Sequence, residues 1–236
     1  MKYLAHFDEE NKIEQSVKAH LDGVSCLSAK FCSSFISSKY GETLGYMHDI
    51  GKYSKEFQEY LLCGTGTRGS VDHSTAGTKE MYDLFKQSRN EFYKIASMCI
   101  AGHNGGLLDY GDQIQKTGFR GRIMKENIPD YSAYKDEFDL ENIKNLPELC
   151  DRFKNSFSEM FLTRMLFSCL VDADFLDTEE AMMKNQGIRS DFSSIVEIKK
   201  CIDSFSEQFY PPQGFLNRKR CELLKRCQEV GSDTNR

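Results

Sequence analysis

A chain of 236 residues with a net charge of −5 and a pI near 5.6 is too acidic to coat nucleic acid by bulk charge. Its 39% hydrophobic and 12% aromatic content is enough for one large core, and no composition break divides the chain. The nine cysteines are odd in number and never spaced Cys-x-x-Cys, which excludes a zinc ribbon and a disulfide framework.

Only four prolines occur and strand-like alternation is scarce, so the fold class predicted is all-α. The first residues, Met1 to His6, lack the apolar core of a secretory signal, and no run approaches a membrane span. A cytoplasmic protein with no membrane partner is expected. Residues 2–7 read as a short extended segment. Val17, Leu21, Val24, Leu27, Phe31 and Phe35 then give a helical stripe from about Gln15 to Ser37. A second helix, about Glu42 to Ile50, carries His48 and Asp49 and stops at Gly51. A short helix follows from Ser54 to Leu62. The run Cys63 to Ser70 is a turn by its glycines; it lacks the Gly-Lys-Ser/Thr of a phosphate-binding loop.

Helices are predicted from Ser74 to Gln87 and from Glu91 to Ala101. A long glycine-rich irregular segment follows, near 103–129. Segments of that length without structure of their own are often functional. A long helical pattern from Leu149 to Met183 carries an apolar face of Phe161, Leu162, Met165, Leu166, Cys169, Leu170 and Ala173. Two more helices, about Phe192 to Phe209 and Asn217 to Val230, are split by Pro211-Pro212. The organisation expected is a main domain over 1–210, then a C-terminal helix and tail over 211–236.

The dyad His48-Asp49 stands in an otherwise apolar stretch. An ionised carboxylate there is costly unless it is paired or holds a metal. His20, His73 and His103 lie beside helix ends or polar residues, and Asp172 and Asp174 lie within the long helix. Imidazole and carboxylate without thiolate suit Mn, Fe, Co, Ni or Zn. On a helix, adjacent residues point about 100° apart, so Asp49 could face a second cation while His48 binds the first. Two nearby cations suit phosphodiester hydrolysis. Each histidine also has a plainer reading as a polar surface or core group, and His6 is read that way. Lys52 reads either as a solvated helix-end cation or as a positive charge near a scissile phosphate. Asp172 and Asp174 cannot share a helix face, and periodicity does not choose between them.

The motifs in chain order are Tyr3-Leu4-Ala5-His6, Ala19-His20-Leu21, His48-Asp49-Ile50-Gly51-Lys52-Tyr53-Ser54 leading to Phe57-Gln58, Asp72-His73-Ser74-Thr75, Gly102-His103-Asn104-Gly105-Gly106-Leu107 and Leu170-Val171-Asp172-Ala173-Asp174-Phe175-Leu176-Asp177-Thr178-Glu179. Together they resemble the HD superfamily of metal-dependent phosphohydrolases. More narrowly they resemble the HD nuclease domain of the CRISPR-associated helicase-nuclease of type I systems. The resemblance implies an HD-domain helical bundle that cleaves single-stranded DNA, the strand displaced by a guide-RNA surveillance complex. It implies a first cation on His20, His48, Asp49 and Asp174, with Asp172 as the alternative to Asp174. Asp49 would bridge to a second cation with His73 and His103. The catalytic set expected is His48, Asp49 and Lys52. The cofactor expected is one or two divalent transition metals, Mn, Fe, Co or Ni before Mg or Zn.

Two departures from that pattern stand out. Many family members have a second histidine where this chain has Asn104, a weaker ligand, so the second cation is expected to bind loosely. The helicase that follows in fused members is not reached, and no Gly-x-x-x-x-Gly-Lys-Ser/Thr occurs. The chain is expected to be part of a longer protein or a separate nuclease subunit, with a helicase domain or subunit as partner. Lys116, Arg120 and Arg122, with Lys125, Tyr110 and Phe119, form the expected nucleic-acid contact. A nucleotide or cyclic-nucleotide phosphohydrolase is the competing activity, and a decayed, non-enzymatic site is a third reading.

Overall fold

In the computed structural model the described residues are 2–64, 71–111, 118–138, 141–153, 155–183 and 193–231. The all-α class holds: 69% of the chain is helical and 4% is strand. Two compact units divide it, Met1–Gly187 and Ile188–Arg236. No helix among the described residues is long and apolar enough to cross a membrane.

The first unit opens with an antiparallel hairpin of β1 (Leu4–Asp8) and β2 (Ile13–Ser16). The sequence pattern suggested only the first strand. β2 is four residues long, and its alternation merges into the helical stripe that follows.

Ser16 caps α1 (Val17–Cys32) by accepting a hydrogen bond from the Ala19 amide. Val17, Leu21, Val24, Ser28 and Cys32 recur at helical spacing and are buried, and His20 falls on this same stripe. α2 (Ser38–Met47) packs on α1 through Gly41 and Gly45. A Cβ on Gly45 would lie 2.3 Å from the Ser25 Cα, and one on Gly41 would lie 2.4 Å from the Ser28 carbonyl oxygen. Only hydrogen at these positions lets the two backbones approach so closely, and that approach brings His20 towards the end of α2.

α2 ends before the dyad instead of carrying it. His48 is its C-cap, and Asp49, with φ −123° and ψ 24°, leads into a 3-10 turn over Ile50–Tyr53. Ser54 then caps α3 (Lys55–Cys63). Residues 65–70 of the expected turn lie outside the described residues.

α4 (Ser74–Ser88) and α5 (Glu91–Gly102) form an antiparallel pair. Arg89 adopts the left-handed conformation that ends α4, and Asn90 caps α5. α5 contributes Phe92, Ile95, Ala96, Cys99 and Ile100 to the core.

The irregular segment is broken by α6 (Phe119–Ile123), with a 3-10 turn at Ser132–Asp136 beyond it. α7 (Glu141–Lys144) and a 3-10 turn at Asp151–Phe153 precede α8 (Ser156–Met183). α8 buries Leu162, Leu166, Cys169, Leu170 and Ala173, whereas Phe161 of the expected apolar face points outward.

The second unit is a pair of helices, α9 (Ile195–Glu207) and α10 (Gly214–Gly231). Ser194 and Glu197 form a capping box at the start of α9. The Tyr210 hydroxyl donates to the Cys221 carbonyl oxygen at 3.2 Å, tying the connection to α10.

Candidate metal centre

Three helix ends and two helix faces converge on one buried cluster. α1 supplies His20 from its core-facing stripe. The α2 end supplies His48 and Asp49. The residue before α4 supplies His73, and the C-cap of α5 supplies His103. α8 supplies Asp174. Three sets of ligand atoms each lie within 4.8 Å of one another: His20, His48 and Asp49; His48, His103 and Asp174; and Asp49, His73 and His103.

Asp49 is the hub. Its Oδ2 lies 3.6 Å from His20 Nε2 and 3.5 Å from His48 Nε2, while its Oδ1 lies 3.6 Å from His73 Nε2 and 3.1 Å from His103 Nε2. Asp174 Oδ1 is 3.3 Å from His20 Nε2 and 3.7 Å from His48 Nε2. Two ligands each about 2.0–2.2 Å from one ion stand roughly 3.0–3.6 Å apart. The spacings of this cluster fall in or near that window.

Every ring is oriented the same way. His48 Nδ1 meets the Gly45 carbonyl oxygen at 2.8 Å, His103 Nδ1 meets that of Ile100 at 2.8 Å, and His73 Nδ1 meets that of Val71 at 3.2 Å. A carbonyl can only accept, so each of these Nδ1 atoms carries the hydrogen, and in the neutral ring each Nε2 presents its lone pair to the cluster. His48 and His103 each end a helix and satisfy a carbonyl of its last turn. His20 Nδ1 is held by Asp177 Oδ2 at 2.7 Å. A carboxylate behind a ligating imidazole fixes the ring and raises its basicity.

The inward-facing atoms are the ones left over. His20 Nε2, His48 Nε2 and Asp49 Oδ1 are buried with no hydrogen-bond partner. The two nitrogens lie beside Asp49 Oδ2, and the orphaned Oδ1 faces His73 and His103; unmatched buried atoms of this kind fit cations and are otherwise costly.

The electrostatics agree. Burial opposes ionisation of Asp49, but Lys52, His48, His73 and His103 outweigh it and hold the carboxyl well below its ordinary range. Asp174 is likewise held far down by His20 and His48 against its burial. Burial and Lys52 work against a proton on His20, yet Asp174, Asp177 and Asp49 push its pKa up to about 9. A cation at Nε2 must displace that proton. For His73 burial prevails and the pKa falls; for His103 the attraction of Asp49 outweighs burial and it rises.

All six expected ligands are therefore brought together. Asp172 is exposed and faces away from the cluster that Asp174 joins. Lys52 is only 5% exposed, which rules out the solvated helix-end reading. Its ammonium lies 2.7 Å from Asp49 Oδ2, so it orients and neutralises the hub. Gln58 locks the turn from behind. Its side-chain amide donates to the carbonyls of Lys52 and Leu4 and accepts from the Leu4 amide. Asn104 reaches the cluster through its side-chain nitrogen, 3.0 Å from His73 Nε2 and 2.8 Å from His103 Nε2. His6 stays outside the ligand set. Its ring stands edge-on to His20, and burial, Lys52 and His20 lower its pKa to about 3, so its Nε2 accepts from the Thr178 hydroxyl.

The expected nucleic-acid residues are placed differently. Arg122 donates to Asp72 Oδ1, Ser74 Oγ and Thr75 Oγ1, and Lys125 donates to Asp72 Oδ2. Both side chains brace the start of α4, next to His73. Arg120 is half-buried, and Lys116 lies outside the described residues.

Asp177 and Gly23 were not singled out as site residues by the motifs. A Cβ on Gly23 would lie 1.8 Å from Asp177 Oδ1, so this glycine makes room for the carboxylate behind His20. The available signal was spacing: Asp177 follows Asp174 by three residues and shares its helix face.

No family model matches the chain, and none of the curated proteins matches it at significant similarity. What this chain shows by its own geometry is a buried His/Asp cluster able to hold a metal ion.

Proposed function

We propose that the chain is a metal-dependent phosphodiester hydrolase, an HD-type nuclease acting on single-stranded DNA. The observation that carries the hydrolase reading is the shared carboxylate: the two oxygens of Asp49 face two different pairs of imidazole nitrogens. His20, His48, Asp49 and Asp174 would hold one divalent cation, and Asp49, His73 and His103 a second. Cations bound there supply Lewis acidity to the scissile phosphate and to the attacking water. Mn, Fe, Co and Ni suit this donor set best, with Mg or Zn as further options.

The protein's own residues do the arranging. The Nδ1 bonds fix which nitrogen each imidazole presents. Lys52 holds the hub carboxylate in place and offsets its charge. The partly exposed rim, where Asp174 and His73 each show 19% of their side chains, is where a phosphate would enter. The clustered side chains are histidine and aspartate, a donor set that suits direct attack by water.

The choice of DNA over a nucleotide is supported by the ordered motifs and their resemblance to the HD nucleases of type I CRISPR systems. On that reading the partners are a helicase domain or subunit and the guide-RNA surveillance complex, in the cytoplasm. The nine cysteines, all free among the described residues, suit that reducing compartment.

The test is cleavage of circular single-stranded DNA by metal-reconstituted protein, beside a panel of nucleotides and cyclic nucleotides. His48→Ala and Asp49→Ala should each abolish cleavage while the helical circular dichroism survives. Undiminished cleavage by both variants would sink the assignment. Turnover of a nucleotide without cleavage of DNA would instead point to the competing phosphohydrolase.

A further inference from the structure

The two halves of the cluster differ in what their lone pairs meet. On the α1, α2 and α8 side, His20 Nε2 and His48 Nε2 have no hydrogen-bond partner. The groups nearest them are the carboxylates of Asp49 and Asp174, fellow ligands of the same cation. On the α4 and α5 side, the Asn104 amide nitrogen lies within hydrogen-bond distance of both His73 Nε2 and His103 Nε2. An amide NH2 has two hydrogens, one for each ring.

Its orientation follows from the rings. In the neutral, metal-binding form of His73 and His103 the Nδ1 atoms donate to the Val71 and Ile100 carbonyls, and both Nε2 atoms then accept. Asn104 therefore faces them with nitrogen and turns its oxygen away. The lone pairs that a cation would need are already in use.

We infer that Asn104 competes with the second cation, so that the cluster fills in order: first at His20, His48, Asp49 and Asp174, then at Asp49, His73 and His103 once the amide has left. The inference rests on the metal-binding reading of the cluster and not on the choice of DNA as substrate. Asn104 is exposed, and water can replace part of what the amide gives up. Two such neutral hydrogen bonds weaken the second site by roughly tenfold. The opposite outcome is also definite. If the amide turned over and offered its oxygen as a ligand, removing it would weaken the second site.

The experiment uses the full chain, stripped of metal and titrated with Mn2+ alone. Calorimetry counts the sites, and electron paramagnetic resonance reports spin coupling when two ions are adjacent. The wild type should take one Mn2+ tightly and a second more weakly. Asn104→Ala should leave the first step unchanged and tighten the second roughly tenfold. Asn104→Ser, too short to span both nitrogens, should do the same and guards against a folding defect in one variant. A second step that is unchanged or weaker in both variants overturns the inference, as does a wild type that fills both sites with equal affinity. A wild type that binds no Mn2+ overturns the metal reading and the inference together. Ordered filling without any DNA cleavage would overturn the nuclease reading alone.

Discussion

Asp174 and Asp177 lie one helical turn apart on α8 and serve the same imidazole from opposite sides. Asp174 faces His20 Nε2 at 3.3 Å, and Asp177 holds Nδ1 at 2.7 Å. Asp177 also accepts from the Gln15 side chain, which fixes the carboxylate in turn. A partner of this kind behind a metal ligand is worth about 10–100-fold in affinity. Asp177→Asn should therefore weaken the first Mn2+ step by about that factor and leave the circular dichroism intact. Asp172→Asn, on the exposed face, should change neither. Equal losses in the two variants would show that net acidity matters and orientation does not. Periodicity could not choose between Asp172 and Asp174, because each sits at a similar angle to the apolar stripe. It did hold an unused signal. Leu166, Leu170, Ala173 and Asp177 continue one buried stripe, and a carboxylate on such a stripe needs a partner.

At the scale of elements, the site is built from ends and close approaches more than from helix faces. The dyad was expected on a helix with its two side chains about 100° apart. The helix in fact stops at Met47, and the break lets the two oxygens of Asp49 face different histidines. Nothing in the local pattern marked that break, because Ile50 continues the apolar run. The glycines were legible as residues but not in their purpose. Gly51 meets the backbone of His73: a Cβ there would lie 2.1 Å from the His73 carbonyl oxygen. Gly51→Ala must push the start of α4 away from the dyad turn. Forced overpacking of this kind costs about 1–3 kcal/mol. The expected result is a lower urea midpoint with an unchanged slope, together with loss of the second Mn2+ step before the first. Retention of both steps would mean that the turn yields without moving His73. Lys116, Arg120, Arg122 and Lys125 were read as a phosphate track, and the partners of Arg122 and Lys125 could not be foreseen. Asp72, which captures Arg122 and Lys125, is 50 residues from Arg122 in the chain.

Across the whole molecule, the clustered residues span from His20 to Asp174, so the candidate metal centre joins nearly the full length of the first unit. Without a cation that unit carries buried, partnerless polar atoms at its centre, at a cost to its stability. A ligand that binds only the folded state stabilises it by about 2.7 kcal/mol at a hundred times its dissociation constant. For a unit of this size that is a rise in melting temperature of roughly 5–10 °C. The second unit, Ile188–Arg236, contributes none of the six ligands and should gain nothing. Hydrogen exchange with and without Mn2+ separates the two. Protection should increase in peptides covering His20, His48 to Lys52, His103 and Asp174, and stay level over α9 and α10. A uniform increase across both units would mean that they unfold together and that the metal stabilises the chain as a whole. No increase around His20 and Asp174 would mean that the cluster is held by its own ion pairs, with Lys52 and protonated His20 taking the place of a cation.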